Sequence, residues 1–391
     1  MRSAWRVVLV AMVVAGAIGC GLDPNKVPSL SVYAQHEDVI TTDRAVVWAL
    51  IGGTAGASSS ATETVIADLR AELPIRDVQG VVLTGNHVAR SSTAEWQAFA
   101  TRFANVVDGP MASSNQARKP ALAIPGDGER LGDRRLKGIG AAFPDQFVDI
   151  GHNRVASWGF VDITSKGETW RILFVDSRRG ALGSRWEEQL FWLPKAVVGD
   201  HFDHILVFMT DPLVTLARGT VMDRDGGPST LLEVIDDHAG IGKVKAVFAS
   251  GSGTNEFFLP TGAYGEAFVV VGNGGVGAPN LRRWAQEPDL PFDEVTHEAL
   301  FGLAVVDLFD KWADAYGYNE RLRQQAHGTG SWEGFTAEID GAALPIQGWW
   351  ELRLDGGLAQ LTLRTRQADD SMADLFYARC EPNGVWSTSR P

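Results

Sequence analysis

GVVLTGNHV, Gly80 to Val88, and ALAIPGDGE, Ala121 to Glu129, share one pattern: a short apolar run that breaks into a glycine-rich turn. WALIGGTAG (Trp48 to Gly56) and AVFASGSGTNE (Ala246 to Glu256) repeat it, and HILVFMTDPL (His204 to Leu213) ends instead in a Thr-Asp-Pro turn. Runs of this length between turn signals read as buried strands. The intervening patterns are helical. Thr62 to Leu73 is rich in Ala and Glu, with Pro74 just past its expected end. Ser91 to Val107 opens on a Ser or Thr suited to an N-cap. Strands alternating with helices predict a mostly parallel central sheet.

Taken in order, these strand-end blocks resemble the calcineurin-like metallophosphoesterases, including the purple acid phosphatase branch. That family reads GDxH, GD, GNH[DE], HHP and GHxH at comparable spacing. The resemblance spans residues 43–310 and implies a layered αββα metallophosphoesterase-like sandwich. Its turn glycines are present as Gly52, Gly85, Gly126 and Gly251. Its metal ligands are not. Gly53 and Ala55 stand at the first ligand pair, Asn86 at the bridging Asp, and Asp127 and Gly128 at the Asn and His of the third block. Thr210 stands at the next His, and Ser252 and Thr254 at the final His pair.

Further resemblance lies in Val175-Asp176-Ser177 followed by Glu188-Gln189-Leu190-Phe191-Trp192-Leu193, where the family has a strand ending in DS and then QLxWL on a helix. The glycine-rich run Gly272 to Gly277 after Phe268–Val271 fits a family loop, and Leu300 to Leu308 its last strand. That run also matches G-x-G-x-x-G, but it comes too late for a first βα turn and is followed by Ala278-Pro279.

A pair of metal cations about 3.5–4 Å apart needs anionic and imidazole ligands to offset their repulsion. Glycines and neutral hydroxyls do not supply that charge. The expectation is therefore no catalytic residue, no metal ligand and no cofactor. Asn86, His87, Asp127 and Asp211 still offer donors for a weak hard-cation site; the simpler reading is that they cap turns. Asp176 reads as a turn residue. Glu129, Arg130, Asp133, Arg134 and Arg135 read as a solvated charged face, and His201 and His204 as surface residues before a strand. Ser252 lacks the G-x-S-x-G register of a nucleophile elbow.

The N-terminus carries a different signal. Arg2 and Arg6 precede the apolar run Val7 to Ile18, which is too short to span a bilayer. Ala17-Ile18-Gly19-Cys20 resembles a bacterial lipobox. The implied organisation is a lipoprotein signal peptide at 1–19 and an acylated tether at 20–42, with lipid on Cys20. Gly21 after the acylated position favours the outer membrane. An ordinary secretory leader is the alternative. Cys380 is the only other cysteine and reads as a packed small hydrophobe.

From Lys311 the family pattern ends, and residues 311–391 are expected to form a small C-terminal β-rich extension. Trp349 to Leu354 and Leu358 to Thr365 alternate around Asp355-Gly356-Gly357 as a hairpin. Trp332, Trp349, Trp350 and Trp386 supply either its core or an aromatic surface for a partner.

The chain has 391 residues, 45% hydrophobic and 21% charged, with a net charge of −13. That balance argues against nucleic acid as a partner. Two function classes remain. One is a non-catalytic cell-envelope lipoprotein, held to the membrane through Cys20, that binds an unknown envelope protein or ligand. The other is an active phosphoric ester hydrolase with a site remodelled around Asn86, His87, Asp127, Glu129 and Asp211. The ligand losses favour the first.

Overall fold

The computed structural model describes residues 34–55, 60–104, 106, 121–143, 146–147, 155–213, 215, 224–240, 242–251, 255–260, 266–272, 339–344, 347–366 and 371–389. The leader, Cys20, Ser252, Thr254, Asn273 to Gly277, Leu300 to Leu308 and Trp332 lie outside them.

Two sheets face each other, and helices cover both outer faces. The first half of the chain gives β1 (Ala34–Thr42), β2 (Val46–Ile51), α1 (Ser60–Ile75), β3 (Gly80–Leu83), α2 (Thr93–Arg102) and β4 (Ala121–Ala123). Two short helices follow, α3 (Asp127–Arg130) and α4 (Lys137–Ala142), and then β5 (Gly159–Ser165) and β6 (Glu168–Val175). The second half gives α5 (Arg179–Leu182), α6 (Arg185–Val197), β7 (His204–Met209), α7 (Gly227–Ala239), β8 (Val244–Ser250), β9 (Asn255–Pro260) and β10 (Ala267–Val271). Five strands close the chain: β11 (Ile339–Leu344), β12 (Gly348–Asp355), β13 (Leu358–Arg366), β14 (Met372–Cys380) and β15 (Trp386–Ser389).

One sheet has the order β1-β5-β6-β7-β8-β10-β9-β11, and the other β15-β14-β13-β12-β2-β3-β4. The expected parallel pairing holds for β6 with β7, β7 with β8, and β8 with β10. It holds also for β2 with β3 and β3 with β4, but the other four pairings of that second sheet are antiparallel, so it is not mostly parallel. Successive residues on β2 point to opposite layers. Trp48 and Leu50 enter the core between the sheets, while Val47, Ala49 and Ile51 pack under the outer helices. Both faces are buried, so the strand reads as an unbroken apolar run rather than an alternating one.

Several expectations are corrected. Residues 34–42, expected to belong to the tether, form β1 and pair parallel with β5. The C-terminal strands do not stand apart as an extension: β12 pairs antiparallel with β2, so β12 to β15 complete the second sheet. The hairpin itself forms as expected, with Trp350 opposite Leu363 and Leu352 opposite Leu361. Trp349 and Trp350 are fully buried in opposite layers and Trp386 is buried with Trp350, so these three are core and not a docking surface. Pro74 lies inside the last turn of α1. The second helix is shorter than expected; its N-cap is Ser92, whose hydroxyl accepts from Glu95 N at 3.3 Å. α7 was not among the expected helices, although Pro228, the spacing of Leu231, Leu232, Ile235 and Ala239, and Gly240 just past its end are helix signals.

Candidate functional site

The strand-end turns gather at the C-terminal ends of β2, β3, β4, β6, β7 and β8, and backbone contacts lock the glycine-rich ones together. Gly53 N donates to Gly85 O at 3.0 Å, and Ala55 N to Asn86 O at 2.7 Å. Thr84 Oγ1 donates to Val271 O at 2.9 Å, tying the second sheet to the end of β10 in the first. Asn86 adopts φ +57°, a left-handed conformation that asparagine tolerates better than most residues. Its Oδ1 accepts from Asp127 N at 2.9 Å and Gly128 N at 3.3 Å, and its Nδ2 donates to Ser250 Oγ at 3.2 Å.

Glu129, expected on a solvated face, is buried. Its carboxylate accepts from Asn86 N (2.9 Å), His87 N (2.6 Å), Val88 N (3.3 Å) and Gly126 N (2.8 Å). Burial pushes this carboxyl up and the backbone donors pull it back. Glu129 is therefore the pin between two strand-end loops, and its oxygens are taken by the chain itself.

The centre of this face is an ion-pair network. Arg178 forks onto Asp211, with Nε to Oδ2 and Nη2 to Oδ1 both at 2.8 Å, and its Nη1 reaches Asp127 Oδ1 at 2.5 Å. Arg224 adds contacts of 3.4 Å to Asp127 and 3.6 Å to Asp211. Arg130 pairs with Asp176, which also accepts from Ser157 Oγ at 2.5 Å and Thr210 Oγ1 at 3.4 Å. Burial opposes the Arg178 charge, but Asp211, Asp127 and Asp176 more than offset it, so its pKa is raised. Burial also pushes the Asp211 carboxyl up while Arg178 pulls it back. The two-pronged geometry is that of an ion pair, so both groups are charged.

Arg178 was missed by the sequence reading, which stopped one residue short at Val175-Asp176-Ser177. The available signal was its place directly after a strand end. Asp176, read as a turn residue, and Arg130, read as solvated, are both buried parts of the network. His204 is likewise buried against Trp170, with ring centroids 4.3 Å apart, rather than on the surface. His201 is exposed, and its Nε2 contacts Arg171 Nη2 at 2.7 Å.

His87 does not join the network. Its Nδ1 meets Thr54 Oγ1 at 2.7 Å, and its ring packs against Phe99 and Phe103 with centroids 5.9 and 5.6 Å away. Burial, and then the charge of Arg102, lower its pKa to about 3 from an ordinary 6.5. The folded state thus holds a neutral imidazole. A depressed folded pKa gives stability that is fully present above pH 6.5 and lost as pH falls toward 3. We expect this group alone to cost the wild type about 1.4 kcal/mol per pH unit across that window. His87→Leu should flatten the slope of unfolding free energy against pH, measured by denaturant titration from pH 7 to 4. An unchanged slope would refute the assignment.

Several solved structures superpose on this architecture. PhoD matches with a TM-score of 0.55 at 9% identity, over 90% of this chain and 73% of PhoD. The purple acid phosphatase PPD1 from yellow lupin (Lupinus luteus) seeds matches with 0.52 at 14%, over 88% of this chain and 54% of the lupin protein. The fold is metallophosphoesterase-like. GAP50, described as the anchor in the inner membrane complex of Plasmodium, matches with 0.50 at 12%, over 85% of this chain and 89% of GAP50. No family model and no curated protein matches the sequence.

The metallophosphoesterase-like fold implies a pair of metals at these strand ends, and the residues present do not fit them. A Cβ on Gly128 would lie 1.6 Å from Val88 O, and one on Gly53, at φ +63°, 2.0 Å from Gly272 O. Two positions that the resemblance aligns with metal ligands therefore have no room for any side chain. Gly126 is also needed for space and not for a left-handed turn: its φ is −93°, and a Cβ would lie 2.5 Å from Asn86 N. Asn86 and Asp127 lie side by side, with Asn86 Oδ1 accepting from Asp127 N, and Asp127 and Asp211 both face a guanidinium. Among the described residues, no three His, Cys, Asp or Glu side chains converge as a ligand set.

Proposed function

We propose that this chain is a non-catalytic, lipid-anchored protein of a bacterial cell envelope that uses a metallophosphoesterase-like fold to hold a partner or ligand. The observation that carries this reading is Arg178, forked on Asp211 and bonded to Asp127. A fixed guanidinium among the strand-end carboxylates repels a divalent cation and takes the oxygens a metal would need. The absence of side-chain space at Gly53 and Gly128 supports the same reading. The fold does not choose between catalysis and binding, and GAP50, similar in fold, is described as an anchor. The lipobox-like Ala17 to Cys20 supports attachment through Cys20, and Gly21 an outer-membrane destination.

The test has two parts. Full chain purified in the presence of zinc, iron and manganese is expected to retain no stoichiometric metal and to leave generic phosphomonoesters and diesters intact. Close to two metals per chain, with turnover abolished by Asp127→Ala at an unchanged melt, would establish a remodelled hydrolase instead. Separately, Cys20→Ser is expected to abolish lipid labelling and detergent partitioning. Labelling that survives the substitution rules out the anchor.

A further inference from the structure

A second polar site lies beside the strand-end face. A cavity of about 270 Å³ opens between the α3–α4 connection, the segment before β5, and the α5–α6 turn. Its walls carry four arginines, Arg130, Arg134, Arg135 and Arg185, with Ser157 and Ser184, and no aspartate or glutamate among the described residues. In a chain of net charge −13 this is a local inversion of sign.

The four guanidiniums fall into two classes. Arg130 and Arg185 are buried and held in place. Arg130 pairs with Asp176. Arg185 donates from Nη1 to Val155 O at 2.7 Å, lies over the Trp158 ring at 4.5 Å, and meets Glu188 at 3.6 Å. Arg134 and Arg135 are exposed and make no ion pair with any described residue. Two compensated arginines thus form the floor, and Arg134 and Arg135, without an ion pair among the described residues, add about two positive charges at the rim. A phosphomonoester carries about −1.5 to −2 charge at neutral pH and three acceptor oxygens. Arginine forks suit such a group better than they suit a neutral polar ligand. The volume accommodates the phosphate and a few attached atoms, smaller than a drug-sized site of roughly 300 Å³ or more.

The geometry points to a phosphomonoester-binding site in this cavity, with Arg134 and Arg135 as the main charge partners and Arg130 and Arg185 as its rigid floor. The site adjoins the strand-end face, sharing Arg130 and Ser157 with its ion-pair network, and does not depend on whether that face turns over a substrate. Its ligand is either a soluble phosphomonoester or the headgroup of a phosphatidic acid-like lipid.

Calorimetric titration of detergent-solubilised full chain distinguishes these. The probes are glycerol 3-phosphate, monomeric dihexanoyl phosphatidic acid, and glycerol as the neutral control. One equivalent of a phosphate probe is expected to bind with Kd below about 1 mM and to weaken as salt is raised. Arg134→Ala/Arg135→Ala should weaken binding at least about tenfold with an unchanged melting temperature, since both side chains are exposed. The double lysine variant should fall between, keeping charge but losing the fork. Binding of the lipid alone would assign a headgroup site, and binding of both a soluble phosphomonoester site. No saturable binding of either phosphate probe, or equal affinity in the double alanine variant, overturns the proposal. Neither failure would bear on the metal content of the strand-end face.

Discussion

Arg178→Ala is expected to destabilise the protein by about 3–5 kcal/mol, the usual cost of removing one partner from a buried ion pair. Asp211 is buried, and Arg178 supplies both donors of its fork. Without them the carboxylate keeps, among the described residues, only the more distant Arg224 at 3.6 Å. The loss should depend on pH in a defined direction. Burial already raises the Asp211 pKa, and deleting Arg178 removes the opposing pull. A raised folded pKa gives stability that is fully present below the unfolded value of 3.8 and lost as pH rises through the folded one. The deficit relative to wild type should therefore be largest at neutral pH and shrink toward pH 4. Urea titrations at several pH values measure it; a deficit below about 1 kcal/mol, typical of a surface pair, would sink the account. Arg178→Lys should be intermediate, because an ammonium keeps the charge but cannot fork. Millimolar manganese should stabilise the alanine variant by binding to the freed carboxylates, and should leave the wild-type melt unmoved.

Gly128→His, which restores the residue type of the resembled family, is expected to cost about 3 kcal/mol or more without creating a metal site. Overpacking a fitted interior costs about 1–3 kcal/mol when rotamers and neighbours relax. Here the obstacle is backbone. A Cβ would lie 1.6 Å from Val88 O, so the loop after β3 must move before any side chain fits. That loop is pinned by Glu129 through Asn86 N, His87 N and Val88 N. Gly128→Ala should therefore be almost as damaging as Gly128→His, since both need the same backbone shift. Denaturant melts of the two variants, with and without zinc, are the check. A well-folded Gly128→His chain that gains stability from zinc would mean that the loop opens readily, and the closed strand-end face would have to be abandoned as an obstacle to metal.

The layered fold was legible because buried strands leave a local trace. Val46–Ile51, Gly80–Leu83 and His204–Met209 are short apolar runs bounded by turns, and their order matched a known succession of strand ends. The hairpin of β12 and β13 was legible for the complementary reason that its turn, Asp355-Gly356-Gly357, lies inside one short window. The site was legible only in its losses. Gly53, Asn86 and Gly128 stand where the resemblance would place ligands, but no local pattern distinguishes a glycine kept for φ from one kept because a carbonyl lies where its Cβ would be. Arg130 and Glu129 sit in a run of mixed charge whose neighbours Arg134 and Arg135 are exposed. Seven consecutive residues carry both fates, so composition could not separate them.

By itself, then, the sequence determined the strand-and-turn alternation, the residue types at the strand-end turns and the lipobox-like stretch ending at Cys20, because each is written in neighbouring residues. Tertiary structure alone decided three things. It joined β12 to β2 across some three hundred residues. It placed Arg178 between Asp127 and Asp211, residues 51 and 33 positions away. It brought Arg185 to the cavity already flanked by Arg130, Arg134 and Arg135. Strand pairing and ion pairing across such separations depend on how distant segments pack, and pairing geometry of that range leaves no period or motif in the chain.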